Sequence, residues 1–123
     1  MAHFDSVSPC FPVADINATI RWYEKLAFVA DPFPPDEPYV FCILRRNDIE
    51  IMLQRLEGYQ KPDLYSRRSG GVWDAYIRIQ DVKQLYESIK DKVETVQPLR
   101  RQPYGCWEFE VKDPNGYVLV FSE

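Results

Sequence analysis

Four carboxylates, an arginine and several aromatic rings fall at alternate positions of apolar stretches, where a β-strand would turn them to one face. Over 49–54, Glu50, Met52 and Gln54 alternate with Ile49, Ile51 and Leu53. Over 72–80, Asp74, Tyr76 and Arg78 alternate with Ala75, Ile77 and Ile79. Near the end of the chain, Glu108 and Glu110 alternate with Trp107, Phe109 and Val111, and Val118, Val120 and Ser122 with Tyr117, Leu119 and Phe121. The apolar members belong under helices, so the others are expected to line a concave sheet face, with the face of 106–112 that does so left open. Tyr39 and Phe41 add a strand of which one face must line that concavity, and Tyr104, beside Gly105 at a strand entry, suits its wall. Such a cleft favours a cationic, partly planar ligand, through charge and ring stacking. The competing reading is a solvated sheet face on which Arg78 pairs with Asp74 or Glu50.

The same residues exclude other chemistry. The single histidine, His3, sits in the N-terminal tail, so no Ser-His-Asp set can be assembled. Gly70-Gly71 lacks the glycine spacing and the following lysine of a phosphate loop. Cys10, Cys42 and Cys106 are odd in number, far apart and without a CxxC pair, and are expected to be buried small hydrophobes rather than a disulfide or zinc framework.

The elements that must position these side chains come in two sets. Asp15 caps a helix over about 15–26 with Ile16, Ile20, Tyr23 and Leu26 as its stripe. A strand over 5–13 precedes it, with prolines suited to an edge, and strands over 28–33, 39–46 and 49–55 follow. A polar, turn-rich segment at about 57–71 connects to a strand over 72–79. Asp81 then caps a helix carrying Val82, Leu85, Tyr86 and Ile89, and strands over 94–99, 106–112 and 117–122 complete the set. The helices correspond at an offset of 66 residues (Asp15 to Asp81) and the last turns at 68 (Asn47 to Asn115). The fold class is therefore α+β: two tandem βαβββ modules, about 4–56 and 71–123, with mixed and antiparallel sheets, in one 1–123 domain. In the last turn, Pro114 fixes φ and Gly116 supplies a positive φ.

At 123 residues the chain is one domain's worth, and its 46% hydrophobic and 28% charged content is that of a globular protein. A net charge of −4 opposes phosphate neutralisation, so nucleic acid is not the expected partner. No run of roughly 18 apolar residues and no signal segment is seen, so no membrane association and a cytoplasmic location are expected.

PVADINATIRWYEKLAF, IQDVKQLYESI and QPYGCWEFEVKDPNGYVLVF, in this order and spacing, resemble the glyoxalase / bleomycin-resistance / extradiol-dioxygenase superfamily, also called vicinal oxygen chelate proteins. The last segment is most similar to the bleomycin-resistance branch. The resemblance implies cupped sheets with helices outside, a ligand cavity, and a homodimer that sequesters a drug without chemistry. It also implies where metal-dependent members would hold their ion: Ser8, Met52 (or Glu50), Asp74 and Val120. Val120 has no donor atom and Ser8 is a poor ligand, so neither a metal nor another cofactor is expected. The expected function is non-enzymatic binding of a bleomycin-like or other cationic aromatic compound, with Glu50, Met52, Asp74, Tyr76, Arg78, Tyr104, Glu108, Val120, Tyr39 and Phe41 as ligand contacts. The alternatives are a metal-dependent lyase or dioxygenase with a displaced site, and a member serving protein partnership or another metabolite.

Overall fold

A computed structural model describes residues 1–68 and 70–123. Its elements run β1 (Cys10–Val13), α1 (Ile16–Glu24), β2 (Val29–Phe33), β3 (Phe41–Arg46), β4 (Ile49–Arg55), then β5 (Ala75–Arg78), α2 (Val82–Ile89), β6 (Glu94–Arg101), β7 (Trp107–Lys112) and β8 (Val118–Ser122). They form two four-stranded mixed sheets of order β1-β4-β3-β2 and β5-β8-β7-β6. The repeat is exact in register: Cys10 lies opposite Met52 in one parallel pair, and Tyr76 opposite Val120 in the other. Among the described residues no helix is long and apolar enough to cross a membrane.

Helix α1 starts as its sequence dictates. The Asp15 carboxylate accepts the Ala18 N–H at 3.0 Å, and Ile16, Ile20 and Tyr23 are buried at helical spacing. Helix α2 starts differently from expectation. Asp81 takes a left-handed backbone (φ 62°), and its side chain makes no capping bond. Glu123 instead accepts the Val82 N–H at 3.0 Å, and the backbone donors lower its pKa.

Strand β1 is shorter than the expected 5–13. Pro9 and Pro12 have no N–H to give a ladder, and β1 is indeed an edge strand, paired only through β4. Its alternation buries Phe11 and Val13 and turns Cys10 outward. Of the three cysteines only Cys42 is buried; Cys10 is exposed and Cys106 half-buried, so the expectation of three buried thiols is corrected.

One hydrophobic cluster spans both modules, with Tyr23, Leu44, Leu53, Phe109 and Leu119 at its centre. Trp22 is also buried there. The seam between the modules is polar as well as apolar. The Phe11 and Tyr117 rings stack at 4.1 Å, and the Tyr117 hydroxyl donates to the Pro12 carbonyl at 2.6 Å. Asn115 Nδ2 donates to Thr19 Oγ1 at 2.9 Å. Asp113, only 4% exposed, accepts the N–H groups of Asn115 and Tyr117 at 2.8 and 2.9 Å, and the Tyr23 hydroxyl at 3.2 Å.

Burial raises the Asp113 pKa above its ordinary 3.8, outweighing the hydrogen bonds that lower it. A carboxyl raised in the folded state stabilises the fold at low pH, and that contribution is lost as pH rises through the raised value. Asp113→Ala, which strands three donors, is expected to cost about 3 kcal/mol in urea unfolding with an unchanged slope. Asp113→Asn should instead flatten the loss of stability on raising the pH from just below 4; an Ala variant as stable as the parent would contradict this role.

Candidate ligand-binding site

The second sheet presents an acidic face opposite its helix. Strand β7 holds Glu108 and Glu110 there, because Phe109 and Val111 are claimed by the core. The antiparallel register sets Glu108 beside Ser122 and Glu110 beside Val120, and the parallel register sets Tyr76 beside Val120. Both carboxylates are buried, Glu108 to 2% and Glu110 to 6% exposure.

Phenols, not cations, satisfy them. Tyr104 donates to one oxygen of Glu108 at 2.5 Å and Tyr76 to the other, with the Ser122 hydroxyl 2.8 Å from the Tyr76 oxygen. Tyr65, from the segment between the modules, donates to Glu110. Among the described residues neither carboxylate forms an ion pair. The basic side chains nearby lie elsewhere: Arg78 over the Tyr76 ring at 5.2 Å, and Lys112 over the Tyr65 ring at 5.5 Å. Arg100 stands across the ladder from Glu108 but is exposed. Trp73 packs at 5.2 Å from the Tyr76 ring. Burial first, then the adjacent carboxylate, raises the pKa of Tyr65, Tyr76 and Tyr104, so each remains a donor.

The corresponding face of the first sheet has the opposite character. Register equates Glu108 with Phe41 (beside Gln54), Glu110 with Ile43 (beside Met52), and Tyr76 with Cys10. Val29, 72% exposed, and Phe33, 62% exposed, extend this apolar face along β2. Its charges are neutralised within it, because Arg45 bonds both Glu50 (3.0 Å) and Asp31 (3.1 Å).

The expected contact residues are thus divided. Tyr76, Tyr104 and Glu108 come together, with Val120 in the floor and Arg78 at the rim. Glu50, Met52 and Phe41 lie on the first sheet, and no hydrogen bond or ion pair among the described residues joins them to the acidic face. Glu50 pairs with Arg45 rather than Arg78. Asp74 is tied into the fold through one oxygen: its Oδ2 accepts the Val118 N–H at 2.8 Å and pairs with Lys61 at 3.4 Å, which anchors the start of β8. Tyr39 packs against the core and lines a concavity together with Asp15 and Ile16 at the start of α1. Glu110, Ser122 and Tyr65 complete the site. The first two share the alternation that marked Glu108; Tyr65, in a turn-rich segment without periodicity, has no sequence signal.

The positions that the resemblance assigns to a metal, Ser8, Met52 or Glu50, Asp74 and Val120, do not fit a divalent cation here. Val120 offers no donor, Met52 only a thioether, and the Asp74 carboxylate is already engaged. Among the described residues no three His, Cys, Asp or Glu side chains converge.

Residues 2–121 match the family model described as Glyoxalase/Bleomycin resistance protein/Dioxygenase superfamily. No curated protein matches the chain in sequence. Solved structures of the same fold include a bleomycin-binding protein from bleomycin-producing Streptomyces verticillus complexed with copper(II)-bleomycin, 26% identical, with 98% of this chain and 97% of that one covered and a TM-score of 0.69. A bleomycin resistance determinant encoded on transposon Tn5 is 20% identical over 98% of both chains, with a TM-score of 0.74. A glyoxalase-related enzyme from Clostridium phytofermentans is 15% identical over 99% and 96%, with a TM-score of 0.76.

The phenol–carboxylate pairs give a direct test by residue-resolved NMR titration of labelled tyrosines. Tyr65, Tyr76 and Tyr104 should ionise above the ordinary phenol value of 10.0. Glu108→Gln should lower Tyr76 and Tyr104 while leaving Tyr65 in place, and Glu110→Gln should do the reverse. The stabilisation these phenols supply is full below pH 10 and is lost as pH rises through their raised values. Parent phenols that all titrate near 10 would refute the network.

Proposed function

Since the chain belongs to the Glyoxalase/Bleomycin resistance protein/Dioxygenase superfamily, we propose that it is a small-molecule binding protein of the bleomycin-resistance kind, sequestering a cationic aromatic compound without transforming it. The observation that carries this reading is the pair of buried carboxylates, Glu108 and Glu110, held by phenols and paired with no cation among the described residues. A buried anion without a counter-charge is costly, and a bound ammonium or guanidinium group removes that cost. Tyr76, Tyr104, Tyr65 and Trp73 supply the ring faces on which a planar body stacks.

The reading gains support from the bleomycin-binding proteins of the same fold, one of them solved with copper(II)-bleomycin. The metal-ligand positions argue against the superfamily's metal-assisted lyase and dioxygenase chemistry, because their side chains cannot form a ligand set. We assign the apolar face of the first sheet to a second copy of the chain. Exposed Phe33 beside Phe41, and Ile43 beside Met52, form a surface that water covers poorly, and placing it opposite a partner's acidic face would enclose an aromatic cation between an apolar wall and an anionic floor.

Isothermal titration with metal-free and copper-loaded bleomycin, and with a simple aromatic monocation as comparator, tests the proposal. Saturable binding is expected, with Glu108→Gln and Glu110→Gln each weakening it about tenfold, or about 1.4 kcal/mol, and with affinity falling as salt rises. Glu110→Gln keeps the acceptor for Tyr65, and Glu108→Gln keeps one acceptor and turns an amide N–H to the other phenol's oxygen, so the fold should persist, as circular dichroism would verify. Binding that is equally tight in both variants would overturn the carboxylate floor; binding of neither bleomycin nor the aromatic cation at millimolar concentration would overturn the ligand class.

A further inference from the structure

Apart from the acidic face, the chain contains a second concavity of about 920 Å³, where the β3–β4 turn faces α2 and the end of β5. Its origin lies in the repeat. The seam described above is filled by Phe11 stacked on Tyr117, closed by Asn115 on Thr19 and by Tyr23 on Asp113. Offsets of 66 and 68 residues, which the two parallel registers confirm, carry these positions to Ile77, Ile49, Asn47, Leu85, Ile89 and Arg45. Two stacked rings have become two isoleucines. The buried carboxylate has become Arg45, which points to the opposite face of its sheet to bond Asp31 and Glu50. Among the described residues nothing of equal volume or bonding replaces the lost filling, and this second seam is open. Ile49, Ile77, Asn47 and Leu85 all line the gap.

The opening has a distinct chemistry. Its floor is apolar, with Phe121 and Leu85 beside the two isoleucines. At its edge Arg46 is anchored by an Nη1 hydrogen bond to the Leu26 carbonyl at 2.9 Å, which holds the guanidinium while leaving its other N–H groups for a ligand. Arg78 lines the same groove. Among the described residues neither arginine forms an ion pair. Asp48 and Asp81 also flank the opening, and their charges favour a monoanion over a polyanion. We propose that this second seam binds a small amphipathic monoanion, such as an aromatic carboxylate or sulfonate. Its ring would lie on Ile49, Ile77 and Leu85, and its anionic group against Arg46. The volume is in the range of small-molecule pockets, and a planar guanidinium suits a bidentate carboxylate or sulfonate. This site borders the acidic face at Arg78 and takes a ligand of opposite charge.

Anilinonaphthalene sulfonate, an aromatic monoanion, is the probe. Its fluorescence is expected to rise on titration with the folded protein and to saturate at one molecule per chain. Leu85→Trp, which fills the groove, and Arg46→Gln, which removes the anchor, should each weaken binding at least about tenfold, whereas Glu108→Gln should leave it unchanged. Thermal unfolding verifies that the variants are folded, and labelled isoleucine methyls give a second readout, with Ile49 and Ile77 shifting on probe addition to the parent. The proposal is overturned by the absence of saturable enhancement, by binding that survives both groove substitutions, or by shifts confined to other isoleucines.

Discussion

The buried carboxylate of Asp113 is the interaction on which the remaining architecture depends. It faces three donors: two backbone N–H groups of its own turn and the phenol of Tyr23 on the first helix. The backbone bonds set the reversal between β7 and β8, where Gly116 takes φ 93°. The phenol ties that reversal to the other module across 90 residues of chain. Desolvation opposes the arrangement, as the raised pKa shows, so the hydrogen bonds and the Phe11–Tyr117 stack must be made together.

What the turn fixes is the register of β8, and through it the chemistry of the second sheet. Only with Glu108 beside Ser122 and Glu110 beside Val120 do both carboxylates stand on one face within reach of phenols from β5, the β6–β7 turn and the linker. Asp74 secures the same strand from its other side by accepting the Val118 N–H. A slip of one residue would send Glu108 and Glu110 into the core and Phe109 into solvent. Glutamates at these positions are tolerable because the phenols solvate them in place of water.

The internal repeat shows how one backbone carries two surfaces. Equivalent positions hold Glu108, Glu110 and Tyr76 in one sheet and Phe41, Ile43 and Cys10 in the other. Period-two alternation made the βαβββ order and the orientation of Tyr76 legible in the sequence and separated Glu108 and Glu110 from Phe109 and Val111, but which face of that strand lines the cleft was not legible. Other features were not legible. Glu123 caps α2 in place of Asp81, a contact between residues far apart in the chain. Tyr65 reaches Glu110 from a segment without periodicity. Glu50 and Asp74 carry the right alternation, yet Arg45 in one case and Lys61 with a backbone N–H in the other neutralise them, and alternation carries no information about partners. Tyr39 precedes β3, so strand parity does not govern it.

The central claim is that Glu108 and Glu110 form an anionic floor awaiting a cation. A crystal structure of the protein with a bound aromatic cation tests it most directly. Density for the cationic group is expected within hydrogen-bonding distance of Glu108 or Glu110, and for the ring against Tyr76 or Tyr104. A ligand seated elsewhere, with Glu108 still held only by its two phenols, would contradict it.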